Sequence, residues 1–229
     1  MRHNRDRLGP VVPAYFHPAI APGEWQTLAA AAASTCLVVV NAASGPGDRP
    51  DPGYVEVIDR LLDAGAQIAG YVDTDYGRRP PADALAEIAR YQEWYQVSSV
   101  FFDRVSSGIE HLPYYRTLAA DSRRIGMALV AFNHGTHPVR DYAEHADLLG
   151  TFEGPFSTFV ELDVPSWVHD FPADRFFQLV YDSPSTLAAT IAGLAAERNV
   201  GSIYRTEGTG ANPWSILPAD FPEADLSTT

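Results

Sequence analysis

QIAGYVDTDYGRRPPADALAEIARYQEWYQVSSVFFD, residues 67–103, contains two apolar runs separated by one amphipathic segment. The runs QIAGYV (67–72) and SVFFD (99–103) are short and rich in β-branched or aromatic residues, as is typical of strands buried on both faces. The segment between them, 82–95, places apolar residues at helical spacing. A strand, a helix and a second strand in this order predict a parallel βαβ unit.

Apolar runs of the same kind occur six more times, at 11–16, 36–41, 127–133, 147–153, 176–182 and 201–206. Helical patterns lie between them: EWQTLAAAAAS, YVEVIDRLLDAG, YYRTLAADSRRIG, VRDYAEHA and STLAATIAGLAAERN. Strands that alternate with helices in this number predict a single (β/α)8 TIM-like barrel, and an open doubly wound sheet is the alternative. We expect one domain over 1–229, with the barrel at about 10–218 and a C-terminal tail after 218.

The charge of the chain limits its partners. Its 229 residues include 16 basic and 29 acidic ones, which gives a net charge of -13. Such a chain repels phosphate backbones and anionic lipid, so we expect neither nucleic acid nor a membrane as a partner. We expect a small-molecule or carbohydrate substrate that is neutral or cationic. The sequence does not indicate which oligomeric state the protein adopts.

Several chemistries are excluded by residues that the chain lacks. All 16 basic residues are Arg, so lysine Schiff bases and lysine-bound pyridoxal phosphate are excluded. The single cysteine, Cys36, excludes an intramolecular disulfide and a zinc site of four thiolates. No GxGxxG or GxxxxGK[ST] motif follows a strand, and we predict no cofactor. The charged N-terminus MRHNRDRLGP shows no signal peptide, so we expect a cytoplasmic protein.

The active site of such a barrel lies at the C-terminal ends of the strands, which makes polar residues there candidates for function. Asp103 follows strand 4 and Glu153 follows strand 6, and a pair of carboxyl groups, one protonated and one ionised, is what glycoside hydrolysis needs. Helix capping and pairing with Arg are the structural alternatives for each acid. The candidates for substrate binding are the other polar and aromatic residues near strand ends: Tyr15, His17, Asn41, Asp73, Asp75, Tyr76, Arg78, Arg104, Asn133, Tyr181, Arg205 and Trp214.

Several acids near one barrel mouth raise a question of charge. Like charges at close range raise one another's pKa, so we expect that one acid is protonated near neutrality or that Arg78 or Arg205 offsets the acids, and we favour the arginines. Because side chains alternate along a strand, Arg104 is expected to face the helices, opposite to Asp103.

A metal site is a further alternative at this mouth. His134 and His137 lie three residues apart, but in a loop containing Gly and Pro rather than on a helix, and we predict no metal.

Six segments in order resemble the spherulation-specific family 4 (spherulin-4) proteins. VVPAYFHP resembles the opening strand of the family, NAASGPG its Asn-Pro-x-x-Gly-Pro-Gly loop and GYVDTDYGRR its Gly-Tyr-Val-x-Thr-x-Tyr-Gly-x-Arg segment. FFDRVS resembles its Phe-Phe-Asp-Glu strand end, TFEG its strand-6 glutamate and IYRTEGTGANPWSILP its closing run. The chain departs from the family at Arg104, where the family has Glu, at Ala42, where Pro is usual, and at Asp73, where His is common.

The resemblance implies a (β/α)8 barrel and a glycoside hydrolase for galactosamine-containing polysaccharides, with catalytic carboxylates that correspond to Asp103 and Glu153. We therefore expect a glycosidase that acts on an amino-sugar glycoside by a two-carboxylate mechanism. Arg104 and the lack of a secretion signal favour one alternative, a cytoplasmic biosynthetic barrel enzyme (isomerase, lyase or cyclase). A non-catalytic sugar-binding barrel is the other alternative.

Overall fold

The computed structural model describes residues 9–221, and eight parallel strands form one sheet in chain order. The strands are β1 Val11–Ala14, β2 Leu37–Val40, β3 Ile68–Asp73, β4 Ser99–Asp103, β5 Leu129–Asn133, β6 Leu148–Pro155, β7 Phe176–Tyr181 and β8 Ser202–Arg205. The Val11 backbone N–H in β1 donates to Ser202 Oγ in β8 at 2.9 Å, which joins the two edges of the sheet. The prediction of a (β/α)8 barrel is confirmed, because the strand order never reverses as it does in a doubly wound sheet.

Helices cover the outside of the barrel. They are α1 Pro22–Ala30, α2 Pro52–Asp63, α3 Pro81–Tyr95, α4 Leu112–Arg124, α5 Phe156–Phe159 and α6 Ala188–Glu197. Proline stands in the first turn of α1 to α4, where its missing N–H costs no hydrogen bond. The helical pattern VRDYAEHA forms a 3₁₀ helix, Arg140–Glu144, rather than an α-helix, since this segment is too short to sustain α-helical turns.

Side-chain alternation along the strands builds two apolar layers. Phe101 in β4 meets Phe177 in β7 across the barrel, with ring centroids 5.7 Å apart. The next residue, Phe102, faces the helix layer and packs on Phe132 at 6.0 Å. Both faces of these strands are buried, which explains their unbroken apolar sequences. By the same alternation Asp103 faces the barrel axis, on the side of Phe101.

The end of the described chain is attached to the barrel. Arg205, at the end of β8, pairs with Asp220, and Phe221 packs against the core. The predicted tail after 218 therefore begins with barrel contacts, and residues 222–229 lie outside the described part. None of the helices within residues 9–221 has the length and apolar character needed to cross a bilayer.

Candidate active site

Asp103, Asn133 and Glu153 lie on the successive strands β4, β5 and β6, and one amide joins the two acids. Asn133 Nδ2 donates to Asp103 Oδ1 at 2.8 Å and to Glu153 Oε2 at 2.5 Å. The middle strand thus supplies the link between the two carboxyl groups expected to be catalytic. β6 continues two residues beyond Glu153 to Pro155, so this acid lies within its strand rather than at the end.

A glycine makes room for this amide. A Cβ atom on Gly150 of β6 would lie 2.5 Å from Asn133 Oδ1 and 2.6 Å from the Phe177 ring, which no side chain permits. The amide orientation follows from charge, because a reversed amide would turn its oxygen toward two carboxyl groups. Oδ1 itself is buried and has no hydrogen-bond partner within residues 9–221.

The other two carboxyl oxygens have their own donors. The Tyr71 hydroxyl donates to Asp103 Oδ2 at 2.9 Å, and Trp214 Nε1 donates to Glu153 Oε1 at 3.2 Å. Each of the four oxygens therefore accepts a hydrogen bond from a neutral group. Sequence reasoning missed Tyr71, although it stands two residues before Asp73 and alternation places both on one face of β3.

Burial raises the pKa of both acids. The pKa of Glu153 rises to about 7, through burial first and repulsion by Asp103 second. Burial also raises the pKa of Asp103, against the stabilising hydrogen bonds of the Arg104 backbone N–H, Asn133 and Tyr71. Because more donors stabilise its ionised form, Asp103 loses its proton first, and Glu153 keeps a proton near neutrality.

A cavity of about 590 Å³ opens at the C-terminal end of the barrel next to these acids. Its wall is mostly aromatic and polar and is formed by Tyr15, Asn41, 42–44, Tyr71, Glu153, Tyr181 and 210–214. Four of the predicted substrate-binding residues therefore share one cavity with Glu153: Tyr15, Asn41, Tyr181 and Trp214. The aromatic rings support one another edge-on, Tyr15 against Tyr71 at 5.6 Å and Tyr181 against Trp214 at 5.8 Å.

Asparagine side chains hold the two loops that complete the wall. Asn41 Oδ1 accepts the Gly45 N–H at 2.9 Å and closes the loop after β2. Asn212 Oδ1 accepts the Trp214 N–H at 3.2 Å, while its Nδ2 donates to the Tyr15 carbonyl at 3.0 Å. These bonds hold the indole where its N–H reaches the glutamate. Sequence reasoning selected none of the wall residues 42–44 and 210–213 as site residues, because apart from Ser44 and Asn212 they are Ala, Gly and Pro.

Five other candidates form a separate cluster at the rim, away from the cavity wall: Asp73, Asp75, Tyr76, Arg78 and Arg104. The Arg104 guanidinium pairs with Asp73 at 2.8 Å and with Asp75, and Arg78 pairs with Asp75 at 2.7 Å. The Tyr76 ring lies 5.1 Å from the Arg104 guanidinium and 5.8 Å from that of Arg78. The charges of this cluster are matched within it.

The expected direction of Arg104 is wrong. β4 ends at Asp103, and the Arg104 backbone adopts a left-handed φ of 52°, so strand alternation no longer applies to it. Its side chain lies at the mouth, 41% exposed, rather than between barrel and helices.

His17 has a structural contact outside the cavity wall. Its Nδ1 accepts the Ala19 N–H at 3.1 Å, so Nε2 carries the proton and donates to Asp51 Oδ2 at 3.2 Å. Asp51 caps the N-terminus of α2 by accepting the Gly53 N–H. The histidine therefore supports a helix cap.

The favoured role of the arginines applies to the rim acid Asp75, which pairs with Arg78, and not to Asp103 and Glu153. Arg205 is 6% exposed and pairs with Glu207 at 3.3 Å and with Asp220. Like Arg78, it makes no ion pair with either catalytic candidate among residues 9–221. The alternative expectation, that one acid keeps its proton near neutrality, agrees with the raised pKa of Glu153.

Both loop histidines are neutral, and His134 is buried whereas His137 is half-buried. Burial lowers the pKa of His134 to about 3 and that of His137 to about 4. His134 Nδ1 donates to the Ser106 carbonyl at 3.1 Å. In the described part of the chain, no three His, Cys, Asp or Glu side chains converge into a group that could hold a metal ion.

Fold and cavity together define a (β/α)8-barrel protein with a half-buried pair of carboxyl groups at the C-terminal mouth. The model of spherulation-specific family 4 matches residues 10–224, and the chain belongs to that family. It is 26% identical to Spherulin-4 of Physarum polycephalum over 212 residues, which cover 86% of this chain and 63% of that relative. The chain thus spans somewhat less than two thirds of the relative's length.

Solved structures share the barrel. Aspergillus clavatus Sph3, solved in complex with GalNAc, superimposes with a TM-score of 0.80 at 23% identity, covering 97% of this chain and 98% of that one. Deoxyribose phosphate aldolase from Aeropyrum pernix gives a TM-score of 0.52 at 14% identity, covering 90% and 89%. At these identities the likeness concerns the fold.

Proposed function

We propose that the protein is a glycoside hydrolase that cleaves an amino-sugar glycoside of the galactosamine type with Asp103 and Glu153. The observation that carries this proposal is the pair of half-buried carboxyl groups, held by one amide beside an aromatic cavity. Aromatic faces and neutral hydrogen-bonding groups suit the C–H surfaces and hydroxyls of a sugar. Membership of the family and the GalNAc complex of the Aspergillus relative support the amino-sugar class.

The two acids take different roles because their environments differ. Glu153 keeps a proton near neutrality and gives it to the leaving glycosidic oxygen as the C–O bond breaks. Asp103, ionised, attacks the anomeric carbon and forms a glycosyl ester. Glu153, now a carboxylate, takes a proton from water, and that water cleaves the ester and releases the sugar and Asp103.

The separation of the carboxyl groups favours retention of anomeric configuration. Both accept from the same Asn133 nitrogen, at 2.8 and 2.5 Å, so these two oxygens lie no farther apart than the sum of those lengths, about 5.3 Å. Retaining enzymes hold their carboxyl groups about 5 to 5.5 Å apart, and inverting enzymes about 6.5 to 9.5 Å.

Substitution of each acid tests the assignment. Asp103→Asn and Glu153→Gln are each expected to lower turnover of a galactosamine or N-acetylgalactosamine oligomer by about a hundredfold or more. The matched control is Glu56→Gln, an exposed acid on α2, which is expected to keep wild-type activity.

The products distinguish the mechanisms. NMR spectroscopy of the first product is expected to show the anomeric configuration of the substrate. Binding of both oligomers by the wild type without any turnover would replace the hydrolase with a sugar-binding barrel. A product formed without uptake of water would indicate an isomerase, lyase or cyclase.

A further inference from the structure

The cavity lies against one ionised acid, and its wall carries no positive charge. Glu153, which lines the cavity, keeps a proton near neutrality, whereas the ionised Asp103 lies directly behind the wall and accepts a hydrogen bond from the wall residue Tyr71. The chain has no Lys, and within residues 9–221 neither Arg nor His belongs to the wall. An anionic ligand would therefore meet a half-buried carboxylate with no cation in the wall beside it, and the two negative charges would repel each other.

The arginines around this mouth are already paired with acids. Arg79 bonds Glu87 at 2.6 Å, and the Glu87 carboxylate lies against Gly45 of the cavity loop. Arg104 and Arg205 each pair with two acids, as described above. A ligand anion would have to displace these carboxylates to reach a guanidinium. A ligand cation needs no such rearrangement.

The chemistry of the proposed reaction places one substituent next to Asp103. The carbon attacked by Asp103 is the anomeric carbon, and the amino group of a 2-amino sugar is on the neighbouring carbon. A free amine there is protonated at neutral pH and forms a charge-assisted hydrogen bond with a carboxylate. The aromatic faces of Tyr15, Tyr181 and Trp214 in the wall also favour a cation. An N-acetyl group is neutral and gains neither interaction.

From these observations we infer that the cavity selects amino sugars whose amine is free and protonated, over N-acetylated sugars and over sugars that carry a carboxylate. This inference rests on the proposed function for the position of the sugar. The negative charge of the chain, -13, acts in the same direction by attracting cationic polysaccharide.

Binding to the inactive Glu153→Gln variant, which keeps Asp103, tests the selection. Calorimetry with a galactosamine oligomer is expected to give a dissociation constant about tenfold below that of the N-acetylgalactosamine oligomer of equal length at about 50 mM salt, and the advantage shrinks at about 500 mM. A galacturonic acid oligomer is expected to show no binding. Equal or tighter binding of the N-acetylated oligomer overturns the inference.

A charge placed in the wall provides a second measurement. Ala43 is an exposed wall residue outside the carboxylate network, and Ala43→Arg is expected to remove the preference for the free amine. Ala43→Gln adds a side chain without charge and is expected to keep the preference. If both variants change the ratio of the two dissociation constants equally, the size of the side chain rather than its charge controls that ratio, and the inference fails.

The two proposals fail in different ways. Wild-type enzyme that cleaves only the N-acetylated oligomer contradicts the selection and leaves the hydrolase intact. Selective binding of the free-amine oligomer without cleavage by the wild type supports the selection and contradicts the hydrolase.

Discussion

Glu153→Gln is expected to stabilise the protein at pH 8 and to change its stability little at pH 5. The folded pKa of Glu153 is about 7, against an ordinary value of 4.5. Between these values the folded protein holds a proton that the unfolded chain has released, so the free energy of unfolding falls as the pH rises from 4.5 to 7. The loss is complete above pH 7, where it reaches about 3 kcal/mol at about 1.4 kcal/mol per pKa unit.

The neutral Gln side chain has no such penalty at any pH. It does carry an NH2 group in place of one oxygen, so either Asn133 or Trp214 loses its acceptor, at a cost of about 1 kcal/mol. The expected net gain in the free energy of unfolding at pH 8 is therefore about 2 kcal/mol. At pH 5 the folded acid is protonated while the unfolded one is mostly ionised, so the wild type has lost only about 1 kcal/mol, and the same cost of the Gln side chain offsets this loss and leaves a change near zero.

Urea denaturation followed by circular dichroism at pH 5 and pH 8 measures both free energies of unfolding. The control Glu56→Gln removes an acid of 65% exposure, and its effect is expected to stay below about 0.5 kcal/mol at both pH values. The assignment of a raised pKa to this glutamate would be refuted by either of two results. The first is a wild type as stable as Glu153→Gln at pH 8, and the second is an equal gain in the variant's free energy of unfolding at both pH values.

Three other predictions concern the same site. Tyr71→Phe removes a donor to the Asp103 carboxylate, so the acidic limb of the pH profile of kcat/KM is expected to move to higher pH and kcat to fall about tenfold; an unchanged limb would contradict this. Gly150→Ala places a methyl group against Asn133 and is expected to lower the free energy of unfolding, measured by urea denaturation, by about 2 kcal/mol or more. The control Gly193→Ala, which has open space around it in helix α6, is expected to raise that free energy by about 0.5 to 1 kcal/mol. Activity is expected to survive exhaustive EDTA treatment; loss that Mg²⁺ or Zn²⁺ restores would show that the acids bind a metal.

Local sequence patterns determined the barrel and the positions of its two acids. A strand of a parallel barrel is buried on both faces, so it appears as a short unbroken apolar run, and each such run occupies a strand of the structure. Where a pattern was brief, as at 140–144, local spacing did not distinguish an α-helix from a 3₁₀ helix. The order of the family-like segments located Asp103 at the end of β4 and Glu153 two residues before the end of β6, because the last part of a strand is a local feature that a few residues specify.

Tertiary structure alone decided how these residues act on one another. Asn133 bonds to acids 30 and 20 positions away, and such bonds depend on the register of three strands and on the missing Cβ of Gly150. The direction of Arg104 depends on the sign of one backbone angle, which strand alternation does not predict. The raised pKa of Glu153 follows from burial and from the charge of Asp103, and both exist only once the strands have closed into a barrel.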